Sequence, residues 1–324
     1  MEQAIRDFAR QLEFEPVIEN ESALRRAKRV IVCGMGGSNL ATGLWAMNNM
    51  REDIHEHRDY GLPILPVGEL EANFIIANSY SGNTEETLHA FDTAFERGLA
   101  LSAIATGGAL LERAEKTGIP YVRLPASGIQ PRSALGFQLR ALLKLAGDEE
   151  NFIKTKEVAA FLDMDAAEKR GKALARKLEG AIPVIYASPH NKTLSHIWKI
   201  KFNETAKIPA FCNVFPELNH NEMTGFDVAS AARVLAKPFH FIFLRDSEDL
   251  AKILKRMDET EKLLKKRGFK VETVELAGRE AWHKIFDNLL TADWAALYLA
   301  RHYGADPDAV PMVEEFKKQM MNGK

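Results

Sequence analysis

Cysteine is almost missing from this chain of 324 residues: only Cys33 and Cys212 occur, both in apolar surroundings. Two thiols cannot build a disulfide framework, so buried packing is the expectation for each, with a reactive thiol or a disulfide as the alternative. A basic surplus is missing too. Lys and Arg number 43 against 45 Asp and Glu, for a formal net charge of −2. That leaves no electrostatic footprint for nucleic acid, and no long like-charge run marks an interaction tail. No apolar stretch approaches the roughly 20 residues that span a bilayer, so no membrane partner is expected. The opening MEQAIRDFARQLEF reads as a charged amphipathic helix without the apolar centre of a signal peptide, and the cytoplasm is the expected compartment. Several motifs are absent as well. In CGMGGSN the third glycine of a dinucleotide fingerprint would fall at Asn39, no Gly-Lys-Ser/Thr marks a Walker loop, and Leu40 stands where a G-x-S-x-G elbow needs glycine. His55 and His57 in HEH sit two apart in a charged segment with no obvious third ligand, and no metal is expected.

What is present is an ordinary globular composition, 46% apolar and 27% charged, on a chain longer than one core usually serves. Two domains are expected, 1–150 and 151–324, with the polar stretch from Gly147 (GDEENFIKTKE) as the boundary. Short β-branched runs alternate with helical patterns. Strands are expected at Arg29–Cys33, Pro63–Val67, Phe74–Asn78, LSAIAT and IPYVRLP, with helices at SNLATGLWAMNNM, TEETLHAFDTAFERG, ALLERAEKTG and SALGFQLRALLKLAG between or after them. The second half follows the same logic through IPVIYASP, HIWKIKFNETAK, FHFIFLRD, FKVETVEL, a helix through DNLLTADWAALYLARHYG, and VEEFKKQMM. This alternation predicts an α/β fold: two domains, each a mainly parallel sheet flanked by helices. Trp and Phe at helical spacing read as core, and His283 as a helix-surface or subunit-contact residue.

The stretch SYSGNTEET, residues 79–87, carries the sharpest functional signal. Ligands of open parallel sheets bind where strands end and helices begin, and a helix N-terminus presents free N–H groups that suit a phosphate. Ser79, Ser81 and Thr84 place three hydroxyls on one such turn, and Gly82 frees the backbone for close approach. Simple N-capping is the plainer alternative, but it needs only one hydroxyl. The loop with Gly36, Gly37 and Ser38 adds backbone and a fourth hydroxyl, and Thr106-Gly107-Gly108 is placed to line the same crevice.

In this order GMGGS, SYSGNTEET, TGG and PRSALG resemble the sugar isomerase (SIS) domain. With FNETAK and PELNHNE the chain resembles the bifunctional phosphoglucose/phosphomannose isomerase family, a branch with two SIS domains, each an αβα sandwich. The resemblance implies interconversion of glucose 6-phosphate or mannose 6-phosphate with fructose 6-phosphate through an enediolate, with no metal and no cofactor. It implies that the sugar phosphate sits on Ser38, Ser79, Ser81 and Thr84 with Gly36 and Gly37 nearby. It matches Glu204 to the proton-transferring base, His220 to the ring-opening group and Arg132 to the charge beside the enediolate. It also matches Lys317, with Lys318 adjacent, to a lysine that assists ring opening. The loop bearing His220 is expected to reach a partner's site, so a homodimer is implied, and the flanking Asn219, Asn221 and Glu222 are expected to fix the imidazole's tautomer.

One departure bears on substrate range. Val310 precedes Pro311 where the resemblance leads one to expect threonine in relatives that accept mannose 6-phosphate, which puts the mannose epimer in question. Two other functions compete. A non-catalytic SIS module would bind sugar phosphate without turnover, leaving Glu204 and His220 idle. An amino-sugar synthase would carry a glutamine-hydrolysing domain, for which the chain has no room.

Overall fold

The computed structural model describes residues 1–48, 53–66 and 68–322. Asn49 and Met50, expected in a helix, and Val67, expected in a strand, lie outside the described residues. The chain forms two compact units: Gln3–Leu162 with Gly278–Phe286, and Met1–Glu2 and Asp163–Ala277 with Asp287–Lys324.

The first unit runs from α1 (Glu2–Arg6) and α2 (Phe8–Leu12) through β1 (Ile18–Glu19), β2 (Arg29–Cys33), α3 (Leu40–Asn48), β3 (Ile54–His57), β4 (Asn73–Asn78), α4 (Glu85–Glu96), β5 (Ala100–Ala105), α5 (Gly108–Thr117), β6 (Tyr121–Arg123), α6 (Leu135–Ala146) and α7 (Glu149–Val158). Its six strands lie in the order β1-β6-β5-β4-β2-β3. Only β1 is antiparallel; the other pairings are parallel. A sheet covered on both faces favours unbroken apolar runs, and all six residues of central β4 are buried. Cys33 packs in this core with Ile31, Ile75, Ala77 and Leu101, so its burial is packing. From β2 the chain adds β3 on one side, then crosses to β4, β5 and β6 on the other. The winding therefore reverses between β2 and β4, the topological switch point at which such sheets bind ligands.

The strand expected at Pro63–Val67 is not one over its described residues. A strand lies earlier in the chain instead: β3, which takes in the HEH segment. It has a single parallel neighbour, with Ile31 opposite His55 and Cys33 opposite His57. An edge strand tolerates polar residues that a central strand does not. The polar stretch from Gly147 is a two-residue turn followed by helix α7: Gly147 closes α6, Asp148 caps α7 by accepting from Asn151 N, and the first unit continues to Leu162.

The second unit comprises α8 (Met164–Leu178), β7 (Ile182–Ala187), α9 (Lys192–Lys201), β8 (Phe211–Val214), α10 (Arg233–Ala236), β9 (Phe239–Arg245), α11 (Ala251–Lys266), β10 (Lys270–Glu275), most of α12 (Ala281–His302), and α13 (Pro311–Asn322). Its strands are all parallel, in the order β10-β9-β7-β8. Val184, Tyr186, Phe215, Phe241, Phe243 and Met257 form its core. Trp198, Trp282 and Trp294 are fully buried, as their helical spacing leads one to expect. Among the described residues no helix is long and apolar enough to cross a membrane.

Candidate active site

Three turns meet at the carboxyl ends of β2, β4 and β5 in the first unit. The turn after β4 is SYSGN. Gly82 has φ +73°, and a Cβ there would come within 1.8 Å of the Gly107 carbonyl oxygen, so only glycine lets the two turns touch. Thr106 N and Oγ1 both donate to the Tyr80 carbonyl, at 2.9 and 2.8 Å, and Leu110 N donates to the Gly82 carbonyl at 2.9 Å. The TGG turn is thus tied to the SYSGN turn, as placed from the sequence. The turn after β2 approaches from the other side. Asn78 Nδ2 donates to the Ser38 carbonyl at 2.5 Å, and Tyr80 N donates to Ser38 Oγ at 2.9 Å. Gly37 abuts the 3₁₀ turn Pro131–Ser133, where a Cβ would stand 2.7 Å from Arg132 N.

The hydroxyls are arranged by this packing. Ser79 Oγ donates to Thr84 Oγ1 at 2.9 Å and accepts from Gly82 N at 3.2 Å. Ser81 Oγ accepts from Asn83 N at 3.3 Å. A hydroxyl has one proton and two lone pairs. Ser38, Ser81 and Thr84 receive hydrogen bonds on oxygen, and each keeps its proton for a further acceptor. Thr84 occupies the N-cap position of α4 but makes no side-chain cap hydrogen bond. The plainer N-cap explanation therefore does not describe this turn: the hydroxyl at the cap position accepts from Ser79, and it does not cap the partial positive charge of the helix start. Arg132, matched by the resemblance to the charge beside the enediolate, is only 1% exposed. Gly36, Gly37, Ser38, Ser79, Ser81, Thr84 and Arg132 all fall on this one rim of the first unit.

The proton-moving candidates lie on three elements of the second unit. Glu204 is partly buried on a π turn, Phe202–Ala206, that extends α9. The turn is closed by Lys207 N donating to the Phe202 carbonyl, with Lys207 itself left-handed at φ 58°. Such widened turns recur at functional sites because they re-aim a side chain relative to the α-helical path. Three residues earlier Lys201 pairs with Asp293 of α12 at 2.6 Å, the side chains 1% and 7% exposed. His220 is exposed, following the 3₁₀ turn Glu217–Asn219, and its N–H donates to the Glu217 carbonyl at 2.9 Å. Its neighbours are engaged elsewhere, contrary to their expected role on the imidazole. Asn219 donates to Thr260 Oγ1 at 2.8 Å, Asn221 to Glu217 Oε1 at 2.7 Å, and Glu222 accepts from Tyr186 and Asn213. Lys317 and Lys318 are exposed on α13. Val310 accepts the first hydrogen bond of that helix, from Glu314 N at 3.0 Å.

Sequence reasoning missed β8, the π turn, the Lys201–Asp293 pair and the Tyr186–Glu222–Asn213 contacts. FCNV is too short to declare itself, the π turn is a local widening of a helix that the spacing does not mark, and the remaining two are contacts made by packing. Among the described residues no cluster of His, Cys, Asp and Glu forms a metal site.

These features define a class: a two-unit α/β protein of the SIS type, with a hydroxyl-rich strand-to-helix turn at a switch point. Comparison with known proteins agrees. Residues 167–320 match the model described as the bacterial phospho-glucose isomerase C-terminal SIS domain. The fold is similar to the crystal structures of glucosamine-6-phosphate deaminase from Thermotoga maritima (TM-score 0.68, 16% identity, 95% of both chains) and tagatose-6-phosphate ketose/aldose isomerase from Escherichia coli (TM-score 0.61, 16% identity, 95% of this chain and 94% of that one). At the level of sequence, the chain is 30% identical over 323 residues to the bifunctional phosphoglucose/phosphomannose isomerase of Aquifex aeolicus, covering 98% of this chain and 97% of that protein. It is 33% identical over 309 residues to the protein of the same name from Caldicellulosiruptor bescii, covering 90% and 89%. The chain belongs to the bifunctional phosphoglucose/phosphomannose isomerase family.

Proposed function

We propose that the protein interconverts fructose 6-phosphate with glucose 6-phosphate, and with mannose 6-phosphate, by proton transfer through an enediolate. The observation that carries this reading is the start of α4: an N-terminus without a side-chain cap, ringed by hydroxyls whose oxygens already accept hydrogen bonds. That arrangement suits a phosphate, whose oxygens only accept at the charge state it holds near neutral pH. In this reading the two halves, 1–150 and 151–324, are SIS-type domains with different duties. Gly36, Gly37, Ser38, Ser79, Ser81 and Thr84 hold the phosphate. His220 gives a proton to the ring oxygen as its bond to the anomeric carbon breaks, with Lys317 assisting. Glu204 takes a proton from one of C1 and C2 and returns it to the other. The fixed charge of Arg132 stabilises the enediolate, which bears charge only along the reaction path. The substrate is a soluble sugar phosphate, and the cytoplasm is the proposed compartment.

The test is a coupled assay with fructose 6-phosphate in which glucose 6-phosphate and mannose 6-phosphate are read separately. Turnover to glucose 6-phosphate is expected. Binding without conversion to either product would instead make the protein a sugar-phosphate-binding regulator. A low mannose 6-phosphate yield that rises in Val310→Thr would locate the epimer preference at that position.

The family likeness and the exposure of His220 support a homodimer in which His220 serves the partner subunit's site. Mixing Glu204→Gln chains with His220→Gln chains tests it. If His220 crosses, a mixed dimer regains one intact site and activity returns; if it acts within its own chain, every site keeps one lesion and activity stays lost.

A further inference from the structure

The loop of the second unit that carries His220 is held at both ends by side chains reaching it from the sheet and from α11. Glu222, two residues beyond His220, is clamped by two strands. Its carboxylate accepts from Tyr186 Oη on β7 at 2.6 Å and from Asn213 Nδ2 on β8 at 2.5 Å. Asn219, immediately before His220, donates to Thr260 Oγ1 of α11 at 2.8 Å and accepts from Arg256 at 3.3 Å. Asn221 closes the turn on itself: its side chain accepts from Glu222 N at 2.5 Å and donates to Glu217 at 2.7 Å. His220 is the one residue of 219–222 whose side chain has no such tether.

The Glu222 clamp is unlike a surface contact. Tyr186 is 1% exposed, and its ring packs within 5.4–6.0 Å of Phe215, Phe241 and Phe243. Burial, then the adjacent Glu222 carboxylate, push the Tyr186 phenol far above its ordinary range, so it stays a donor at any working pH. A phenol held by an aromatic core and a carboxylate held by the phenol form a rigid post at the carboxyl end of the sheet. The energetic logic is that of a charge-assisted hydrogen bond, stronger than a neutral one and intolerant of losing its donor. A sheet core does not need such a group for stability; a phenylalanine at position 186 would complete the same aromatic cluster. What the hydroxyl adds is the fixed place of residues 220–222.

We infer that Tyr186, Asn213 and Glu222 are positioning residues for His220: they set where its imidazole stands during ring opening and take no part in the proton transfer between C1 and C2. This rests on the reading of His220 as the ring-opening group.

The experiment compares two substrates. Fructose 6-phosphate must open before it reacts. 5-Deoxyfructose 6-phosphate lacks the hydroxyl that closes the ring, so it needs the base but no ring opening, and its turnover is read by NMR as exchange of the carbon-bound proton in heavy water. Tyr186→Phe removes only the hydroxyl. It is expected to lower kcat on fructose 6-phosphate at least tenfold, with KM changed less than twofold and the rate on the 5-deoxy sugar unchanged. Glu222→Gln, which keeps shape and loses charge, is expected to give a smaller loss of the same selectivity, and thermal unfolding establishes that both variants are folded. Equal losses on the two substrates, or no loss on either, would overturn the inference. His220→Gln is run beside them. If it shows the selective loss and Tyr186→Phe does not, the clamp alone fails; if His220→Gln spares fructose 6-phosphate, the assignment of His220 fails first.

Discussion

The first unit presents its chemistry on turns of a few residues between strand and helix, so tightly packed that Gly82 cannot carry a Cβ and Gly37 abuts the backbone of Arg132. The second unit presents its proposed proton carriers on longer connections: Glu204 on a widened helical turn three residues after the Lys201–Asp293 pair, and His220 on a loop beyond edge strand β8 whose Glu222 is held by Tyr186. The difference follows from the duties proposed for each. A phosphate is held well by backbone N–H groups and short hydroxyls, which do not titrate near neutral pH, and close packing fixes them. A proton carrier must be a titratable side chain with room at its tip, so its support has to come from behind.

The largest effect expected is on the second unit. Glu204→Gln should lower kcat by about 10² to 10⁴, the usual worth of a positioned acid–base group, while fructose 6-phosphate still binds. Retained turnover would remove Glu204 from the reaction, and lost binding would blur the division between the units. Next is the buried pair that begins three residues before Glu204. Lys201→Met should cost about 3–5 kcal/mol of folding stability because it removes the cation paired with the buried Asp293 carboxylate. Adding Asp293→Leu should recover most of that in urea unfolding, since a well-packed apolar pair can replace a buried ion pair. Failure to recover would mean that the pair is also needed for the shape of the π turn.

Third, the first unit should answer in affinity. Thr84→Val keeps the branched shape and loses the hydroxyl. It should raise KM for fructose 6-phosphate about tenfold with kcat within twofold, the scale of one hydrogen bond to a charged group. A fall in kcat instead would place the cradle in the chemistry. The smallest effect separates the two thiols. Burial pushes Cys33 up from near 9 to about 12, whereas Cys212 is raised less, by burial opposed in part by Lys199. Thiol reagents should label Cys212 faster in the folded protein. The sign for stability follows from proton binding. Below about pH 9 folded and unfolded chains both keep the Cys33 proton; between about 9 and 12 only the folded chain does. Stability should therefore fall as pH rises through that window, by at most about 1.4 kcal/mol per pH unit. Urea unfolding of the native protein and of Cys33→Ala at about pH 8 and about pH 10 measures the difference, and parallel slopes would show that Cys33 contributes nothing to it.

Much of this protein was legible in order along the chain. β4, β5, β7, β9 and the helices that follow them announce themselves by runs and periods, because neighbours in sequence share one environment there. SYSGNTEET was legible as a hydroxyl-rich turn because its spacing alone puts three hydroxyls on one strand-to-helix junction. The edge strand β3 was missed, and a strand expected at Pro63–Val67 instead, because an edge strand need not be apolar; β8 was missed because four residues carry too little pattern. The support of Glu204 and His220 was not legible at all. Nothing local marks Lys201 as the partner of Asp293, or Tyr186 as the donor to Glu222, since each pair is joined only when the sheet and helices pack.

The amino-acid order by itself determined the alternation of strands and helices, and with it a parallel α/β architecture and the hydroxyl-rich turn proposed to grip a phosphate. These depend on interactions within a turn or two of chain. Only the tertiary structure decided that the Gly82 and Gly107 turns touch, that Arg132 is buried, and that the His220 loop hangs from a tyrosine in the core. Those outcomes depend on groups brought together by packing, which no local stretch encodes.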